Sequence, residues 1–118
     1  MTQIRSMTQP VARRPGELGV HSLDQFNLVV PDVSVAEKFY GSFGLELKEE
    51  AGKLGLYTYG HPHRWGTVSE GPRKKLNYVS FGAYEDDMPR FREGLEQMRI
   101  ERLDPPKGFE SNGLWFRD

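Results

Sequence analysis

The chain has 118 residues, enough for one compact domain that buries about two thirds of its unfolded surface and too few for two. Its 16 basic and 17 acidic residues nearly cancel, so charge favours neither nucleic acid nor an anionic membrane as a partner. The absence of cysteine excludes disulfides and thiolate ligands, and no apolar run is long enough to span a bilayer. We expect a cytoplasmic protein in which His, carboxylate or amide groups would bind any metal.

The first 20 residues lack apolar periodicity, and Pro10 and Pro15 lie close together within them. Such a segment cannot bury enough apolar surface to offset the entropy of ordering. It is predicted to be a flexible N-terminal arm, either a disordered tail or an arm that docks on another domain or subunit. The folded domain is expected over residues 21–118.

A strand followed by a helix is predicted next. Residues 23–30 alternate, with Phe26, Leu28 and Val30 on one face, as in a half-buried strand. The segment 34–37 has the Ser-x-x-Glu spacing of a capping box, which starts helices. Apolar residues recur at four-residue spacing at Val35, Phe39 and Phe43. This spacing predicts a short amphipathic helix that lies on a sheet with these three side chains facing it.

Three short strands then follow, predicted over 45–49, 54–59 and 65–69. After them the order of elements begins again with a strand at 76–81. A second helix opens at Asp86-Asp87-Met88-Pro89, because acidic residues and proline favour the first turn. Its predicted apolar face consists of Met88, Phe91, Leu95 and Met98, and the last predicted strands cover 100–103 and 113–117.

The repeated order of strand, helix and three strands resembles the glyoxalase, bleomycin-resistance and extradiol-dioxygenase proteins of the vicinal-oxygen-chelate superfamily. The motifs that carry the resemblance are Val30-Pro31-Asp32 after the first strand and Phe39-Tyr40, with Gly44-Leu45, closing the first helix. It covers residues 18–118. It implies an α+β fold in which two βαβββ modules, about 21–71 and 74–118, form a curved mixed sheet.

Within that superfamily, the segments 65–71 and 76–82 look most like the N-terminal domain of a type I extradiol ring-cleavage dioxygenase. Phe116-Arg117-Asp118 matches the start of the family's Phe-x-Asp-Pro-x-Gly segment. After that segment a last strand normally carries a glutamate ligand. We therefore expect the fold to lack its last strand in this chain. The chain is either a truncated form of a longer protein, as we expect, or a naturally shortened protein.

The resemblance also implies where a metal would lie. The family's extradiol enzymes hold Fe(II) or Mn(II) with two histidines and one carboxylate. The first of these positions falls on Gln25, the fifth-strand position falls on Tyr78, and the fourth-strand position falls near Thr67 or Ser69. An amide and a phenol cannot replace two imidazoles in that chemistry. We predict no catalytic residue and no metal site in this chain, with the iron or manganese in a missing catalytic domain.

The histidines of the chain do not offer a replacement site. His61 and His63 flank a proline whose extended backbone is expected to point the imidazoles apart, in a solvated loop. His21 is expected at the surface ahead of the first strand. Most aromatic residues are assigned to the core, and three are candidates to line a pocket for a planar substrate: Tyr57, Trp65 and Tyr78.

The function predicted from this resemblance is that of an N-terminal, non-catalytic domain of a catechol-cleaving extradiol dioxygenase, with a structural and oligomerisation role. Its partners would be a C-terminal catalytic domain or a second subunit, including another copy in a homodimer, and neither nucleic acid nor a membrane. Two alternatives stay open. One is a metal-free small-molecule-binding protein of the bleomycin-resistance type, and the other is a glyoxalase-like metal-dependent enzyme with Gln25 as a ligand.

Overall fold

A computed structural model describes residues 1–8, 16–110 and 112–117. In this part of the chain a 3₁₀ turn, Glu85–Asp87, precedes the second of two helices, and neither helix has the length and apolar character of a membrane span. The elements, in chain order, are β1 Thr2–Ser6, β2 Ser22–Val30, α1 Val33–Ser42, β3 Glu46–Glu50, β4 Lys53–Tyr57, β5 Gly66–Glu70, β6 Lys75–Ala83, α2 Met88–Gln97 and β7 Leu114–Phe116.

The strands form a mixed sheet with the order β3-β4-β5-β2-β6-β1-β7, which confirms the predicted α+β class. The chain divides into two compact units, one of Gln25–Tyr78 and one of Met1–Asp24 with Val79–Asp118. The predicted modules, about 21–71 and 74–118, stay a prediction. Both β2 and β6 contribute residues to the two units, and β1 belongs to the unit of Met1–Asp24 with Val79–Asp118.

In the unit Gln25–Tyr78, β5 pairs in parallel with β2 and antiparallel with β4, and β4 pairs antiparallel with β3. The predicted helix forms between β2 and β3. Its N-cap is Asp32, whose carboxylate accepts hydrogen bonds from the Ser34 backbone N–H at 2.9 Å and hydroxyl at 2.6 Å. These bonds lower the pKa of Asp32. The predicted capping box at Ser34 is therefore wrong, because the residue two positions earlier supplies the cap.

The helix α1 packs on the sheet with a different face from the one predicted. Ala36 is buried, and Val33 and Tyr40 pack around the same core as Leu54, Leu56 and Val68. The predicted buried face is exposed instead, with relative exposures of 61% at Val35, 54% at Phe39 and 65% at Phe43. The small side chain of Ala36 lets the helix approach the sheet closely, and the larger side chains then lie on the opposite side.

In the other unit, β1 pairs in parallel with β6 and antiparallel with β7. The core of this unit contains Ile4, Ala83, Leu95, Leu114 and Phe116. Met88 and Phe91 of α2 pack against it, which agrees with the predicted helix face, but Met98 is 71% exposed and does not.

The flexible arm predicted for residues 1–20 is wrong for Thr2–Ser6, which form β1 with Thr2, Gln3 and Ile4 buried. Extended hydrogen bonding to two neighbouring strands orders this segment despite its polar composition. Residues 9–15 of the predicted arm lie outside the described residues. The strand predicted over 100–103 is also wrong: only an isolated bridge joins Arg102 to Phe116.

Candidate functional site

Gln25, the residue that the resemblance places at the first metal position, lies on β2 next to a charged pair. Its Oε1 accepts a hydrogen bond from Nε of Arg64 at 3.3 Å. Nη1 of the same guanidinium lies 3.2 Å from Oε2 of Glu50, at the end of β3. A permanent cation therefore bridges the amide of Gln25 and the carboxylate of Glu50.

The other oxygen of Glu50 accepts a hydrogen bond from the hydroxyl of Tyr57 on β4. This bond, helped by Arg64, lowers the pKa of Glu50 despite its partial burial. Burial, and then the same bond to Glu50, raise the pKa of Tyr57. The Nζ of Lys48 lies 4.4 Å from the centroid of the Tyr57 ring, which is a cation–π contact.

Gly55 makes room for this arrangement. A Cβ there would lie 2.9 Å from Cε1 of Tyr57 and 3.2 Å from Oε2 of Glu50. Because real Cβ atoms essentially never approach a carbon so closely, any larger residue would displace the Tyr57 ring. Gly55 therefore keeps the β3–β4 hairpin compatible with the Tyr57–Glu50 bond.

We predict that the Tyr57–Glu50 hydrogen bond makes the free energy of unfolding depend on pH in acidic solution. A carboxyl whose pKa is lowered in the folded state contributes stability above its unfolded pKa, here near 4.5, and loses it as pH falls through the folded value. Tyr57→Phe removes the hydroxyl that lowers the pKa most. The free energy of unfolding of the variant, measured with denaturant at several pH values, should therefore fall less than that of the unsubstituted chain as the solution is acidified below 4.5. Equal acid sensitivity in both chains would contradict the bond's role.

The residues predicted from the resemblance to lie at the remaining metal positions have other contacts in the structure. Tyr78 is only 2% exposed, in the core of its unit. Asn27 on β2 donates to the hydroxyls of Thr67 at 2.8 Å and of Ser69 at 3.1 Å. Among the described residues, no group of three His, Asp or Glu side chains is arranged to hold a metal ion. With Arg64 already beside Gln25, the donor set does not fit Fe(II) or Mn(II).

The histidine pair lies in the exposed loop before β5. The ring centroids of His61 and His63 are 6.4 Å apart, and both rings contact Trp65, which is 38% exposed. His21 is half-buried rather than at the surface. Its Nδ1 lies 2.8 Å from the Ser22 hydroxyl and its Nε2 lies 3.0 Å from the carbonyl of Met7.

A groove that the sequence did not predict lies along the exposed side of α1. It has a volume of about 720 Å³ and is lined mainly by apolar side chains, including Leu28, Val35, Phe39 and Leu76, with Lys74 and Lys75 beside them. None of the three predicted pocket residues lines it, and Tyr57 and Tyr78 are buried. A pocket role for Tyr57, Trp65 and Tyr78 stays a prediction. The apolar spacing of Val35 and Phe39 predicts that they pack against the sheet, so the sequence does not indicate a groove at their exposed side chains.

Comparisons with known proteins agree with the fold. No family model matches the chain. Metapyrocatechase 2 of Cupriavidus necator is 35% identical over 111 residues, which cover 94% of this chain and 34% of that protein. The chain thus spans about a third of the length of this relative.

Two solved structures have the same fold at low sequence identity. A variant of homoprotocatechuate 2,3-dioxygenase from Brevibacterium fuscum gives a TM-score of 0.64 at 20% identity, over 93% of this chain and 31% of that one. A room-temperature structure of an extradiol ring-cleaving dioxygenase from B. fuscum gives a TM-score of 0.63 at 19% sequence identity. The match covers 77% of this chain and 26% of that one. The resemblance of the chain to the extradiol dioxygenases of the vicinal-oxygen-chelate superfamily is thereby confirmed.

Proposed function

We propose that this chain is the N-terminal, non-catalytic domain of a cytoplasmic extradiol dioxygenase that cleaves catechol-type rings. The sequence similarity to metapyrocatechase 2 supports the kind of enzyme, since it extends over 94% of this chain. The chain covers 34% of that relative, which leaves room in the relative for a separate catalytic domain. In this proposal the chain has a structural and oligomerisation role, and neither nucleic acid nor a membrane is its partner.

The observation that carries the proposal is the hydrogen bond between Gln25 and the guanidinium of Arg64. Extradiol chemistry needs a metal that binds the two catechol oxygens and dioxygen, and therefore anionic or imidazole ligands around an accessible cation site. Here Arg64 lies at 3.3 Å from Gln25 Oε1 and balances the charge of Glu50. A second cation would be repelled by this guanidinium. The Fe(II) or Mn(II) is accordingly assigned to a C-terminal catalytic domain or a second subunit.

A surface suited to such a partner is present on α1. Val35, Phe39 and Phe43 form an exposed apolar stripe, and the Phe39 and Phe43 rings contact each other with centroids 4.8 Å apart. Contiguous exposed apolar surface is typical of sites that another protein covers. The stripe therefore supports a role in contacting the catalytic domain or, in a homodimer, another copy.

The proposal predicts that the 118-residue chain has no ring-cleaving activity of its own. Purified protein is incubated with Fe(II) or Mn(II), dioxygen and a set of catechols, and oxygen consumption and ring-cleaved product are measured. We expect no rate above that of the metal alone and no metal bound after desalting. Full-length metapyrocatechase 2 is the positive control. Metal-dependent turnover by the chain alone would contradict the proposal.

A further inference from the structure

The groove beside α1 has the dimensions of a small-molecule site. Its volume of about 720 Å³ lies within the usual range for such sites, about 300–1,000 Å³. Its walls come from the end of β2 with the following turn, from α1, and from residues 74–76 at the start of β6. All of these residues belong to the compact unit Gln25–Tyr78, so one unit of the chain forms the whole groove.

The lining of the groove is mostly apolar and accessible to solvent. Leu76 is 59% exposed, and Val35 and Phe39 of α1 are exposed as well. Leu28 and Val30 of β2 complete the apolar wall. A ligand with an apolar body would remove this surface from water, which favours binding in proportion to the area covered.

Two lysines give the groove a preference for one sign of charge. Lys74 lies directly before β6 and Lys75 begins it, and both are exposed. A lysine stem can lie along apolar surface while its ammonium group stays in water. The acidic residue of the lining is Asp32, whose carboxylate is already bound by the N–H and hydroxyl of Ser34. With two positive charges against one, the groove attracts an anion.

The groove is separate from the position of Gln25. Side chains alternate between the two faces of a strand, so Leu28 and Val30 lie on the face of β2 opposite Gln25 and Asn27. A molecule in the groove therefore lies across β2 from the amide of Gln25.

We propose that this groove binds an amphipathic carboxylate, a small molecule with an aromatic or aliphatic body and one acid group. The body covers Val35, Phe39 and Leu76, and the acid group pairs with Lys74 or Lys75. The inference goes beyond the proposed function and does not rest on it, because a chain with any other role would bind the same ligand. Phe43 belongs to the exposed stripe of α1 but does not line the groove, and it stays available to a partner protein.

The first test compares two dyes that differ in charge. Anilinonaphthalene sulfonate is an amphipathic anion, and phenylnaphthylamine has the same aromatic body without the acid group. Each is titrated into the 118-residue chain and followed by fluorescence. We expect saturable one-to-one binding of the anion with a Kd on the order of 10–100 μM, and weaker binding of the uncharged dye. Salt should reduce this difference, because it screens the exposed lysines. Octanoate should displace the anionic dye better than octanol does.

The second test removes the charges of the groove. The double variant K74Q/K75Q should bind the anionic dye about three- to tenfold more weakly, the combined effect of two exposed ion pairs, and should bind the uncharged dye as before. Its matched control is R73Q, which removes a neighbouring exposed cation that does not line the groove, and should leave both titrations unchanged. V35E places a carboxylate in the groove and should abolish binding of the anion. If V35E fails to fold, as judged by circular dichroism, the lysine variant decides.

Three results would overturn the proposal. The first is equal binding of the two dyes, and the second is an equal effect of R73Q and K74Q/K75Q on the anion. The third is the absence of dye binding to the unsubstituted chain. If in that case sedimentation shows a dimer that V35E dissociates, the occupant of the groove is a second copy of the chain.

Discussion

Replacing Arg5 with glutamine is expected to lower the free energy of unfolding by about 3 kcal/mol, because it leaves a buried carboxylate without its cation. Asp24 is 1% exposed, so water cannot take the place of the guanidinium. Glutamine can still donate one hydrogen bond, but it carries no charge. A loss of this size leaves a folded protein if the total stability lies in the usual range of about 5–15 kcal/mol.

Substituting Asp24, the other member of the ion pair, should lower the free energy of unfolding by less. Asp24→Asn removes the negative charge and leaves Arg5, whose side chain is 30% exposed and can be hydrated. We expect a loss of about 1–2 kcal/mol, since the amide still accepts and donates hydrogen bonds. Denaturant unfolding of both variants measures this asymmetry. Arg92→Gln, on the exposed side of α2, is the control and should change stability by no more than about 0.5 kcal/mol. A larger loss for Asp24→Asn than for Arg5→Gln would contradict the explanation by burial.

Much of the fold could be predicted because most elements carry a local periodic signal. The apolar spacing of Met88, Phe91 and Leu95 in α2 reflects contacts that repeat along the sequence. The alternation through β2 marks a strand, although Asn27 and Val29, on the face opposite Phe26, Leu28 and Val30, are the more buried residues. The strand β1 carries no such signal. Of its five residues only Ile4 is apolar, and its order comes from pairing with residues 79–83 and 114–116, far away in the sequence.

The wrong face of α1 has a different cause. Two apolar stripes run along this helix, and the four-residue spacing predicts burial of the one with the larger side chains, Val35, Phe39 and Phe43. The structure buries Ala36 and packs Tyr40 beside it. Size does not decide which stripe faces a sheet, because a small residue allows a closer approach and a partner can cover the larger ones.

The candidate site could also be predicted only in part from the sequence. Gln25 could be identified from the resemblance because a single position is enough to notice a missing histidine. Arg64 lies 39 positions from Gln25 and 14 from Glu50, in elements with no common pattern. Only the folded arrangement shows that a cation already lies beside the amide. The guanidinium beside Gln25 is a physical reason against a metal at this position that the sequence alone does not show.

Removing the side-chain amide of Asn27 is the second large effect that we predict. This residue is fully buried on β2. Its Nδ2 donates to the hydroxyls of Thr67 and Ser69, at 2.8 and 3.1 Å, and its Oδ1 accepts from Asn77 at 3.1 Å. One side chain thus joins three polar neighbours on β5 and β6. Buried groups of this kind are stable only when each has a partner.

Asn27→Ala would leave these neighbours without their common partner and would open a small cavity. We expect a loss of about 3 kcal/mol in the free energy of unfolding, the sum of unsatisfied polar groups and lost packing. Asn112→Ala, at an exposed position, should stay within about 0.5 kcal/mol of the unsubstituted chain. Asn27→Asp keeps the size but removes the Nδ2 donor and should also be strongly destabilising, because a carboxylate would face the Thr67 carbonyl that Nδ2 now contacts at 3.3 Å. A loss below about 1 kcal/mol for Asn27→Ala would mean that water replaces the amide between the strands.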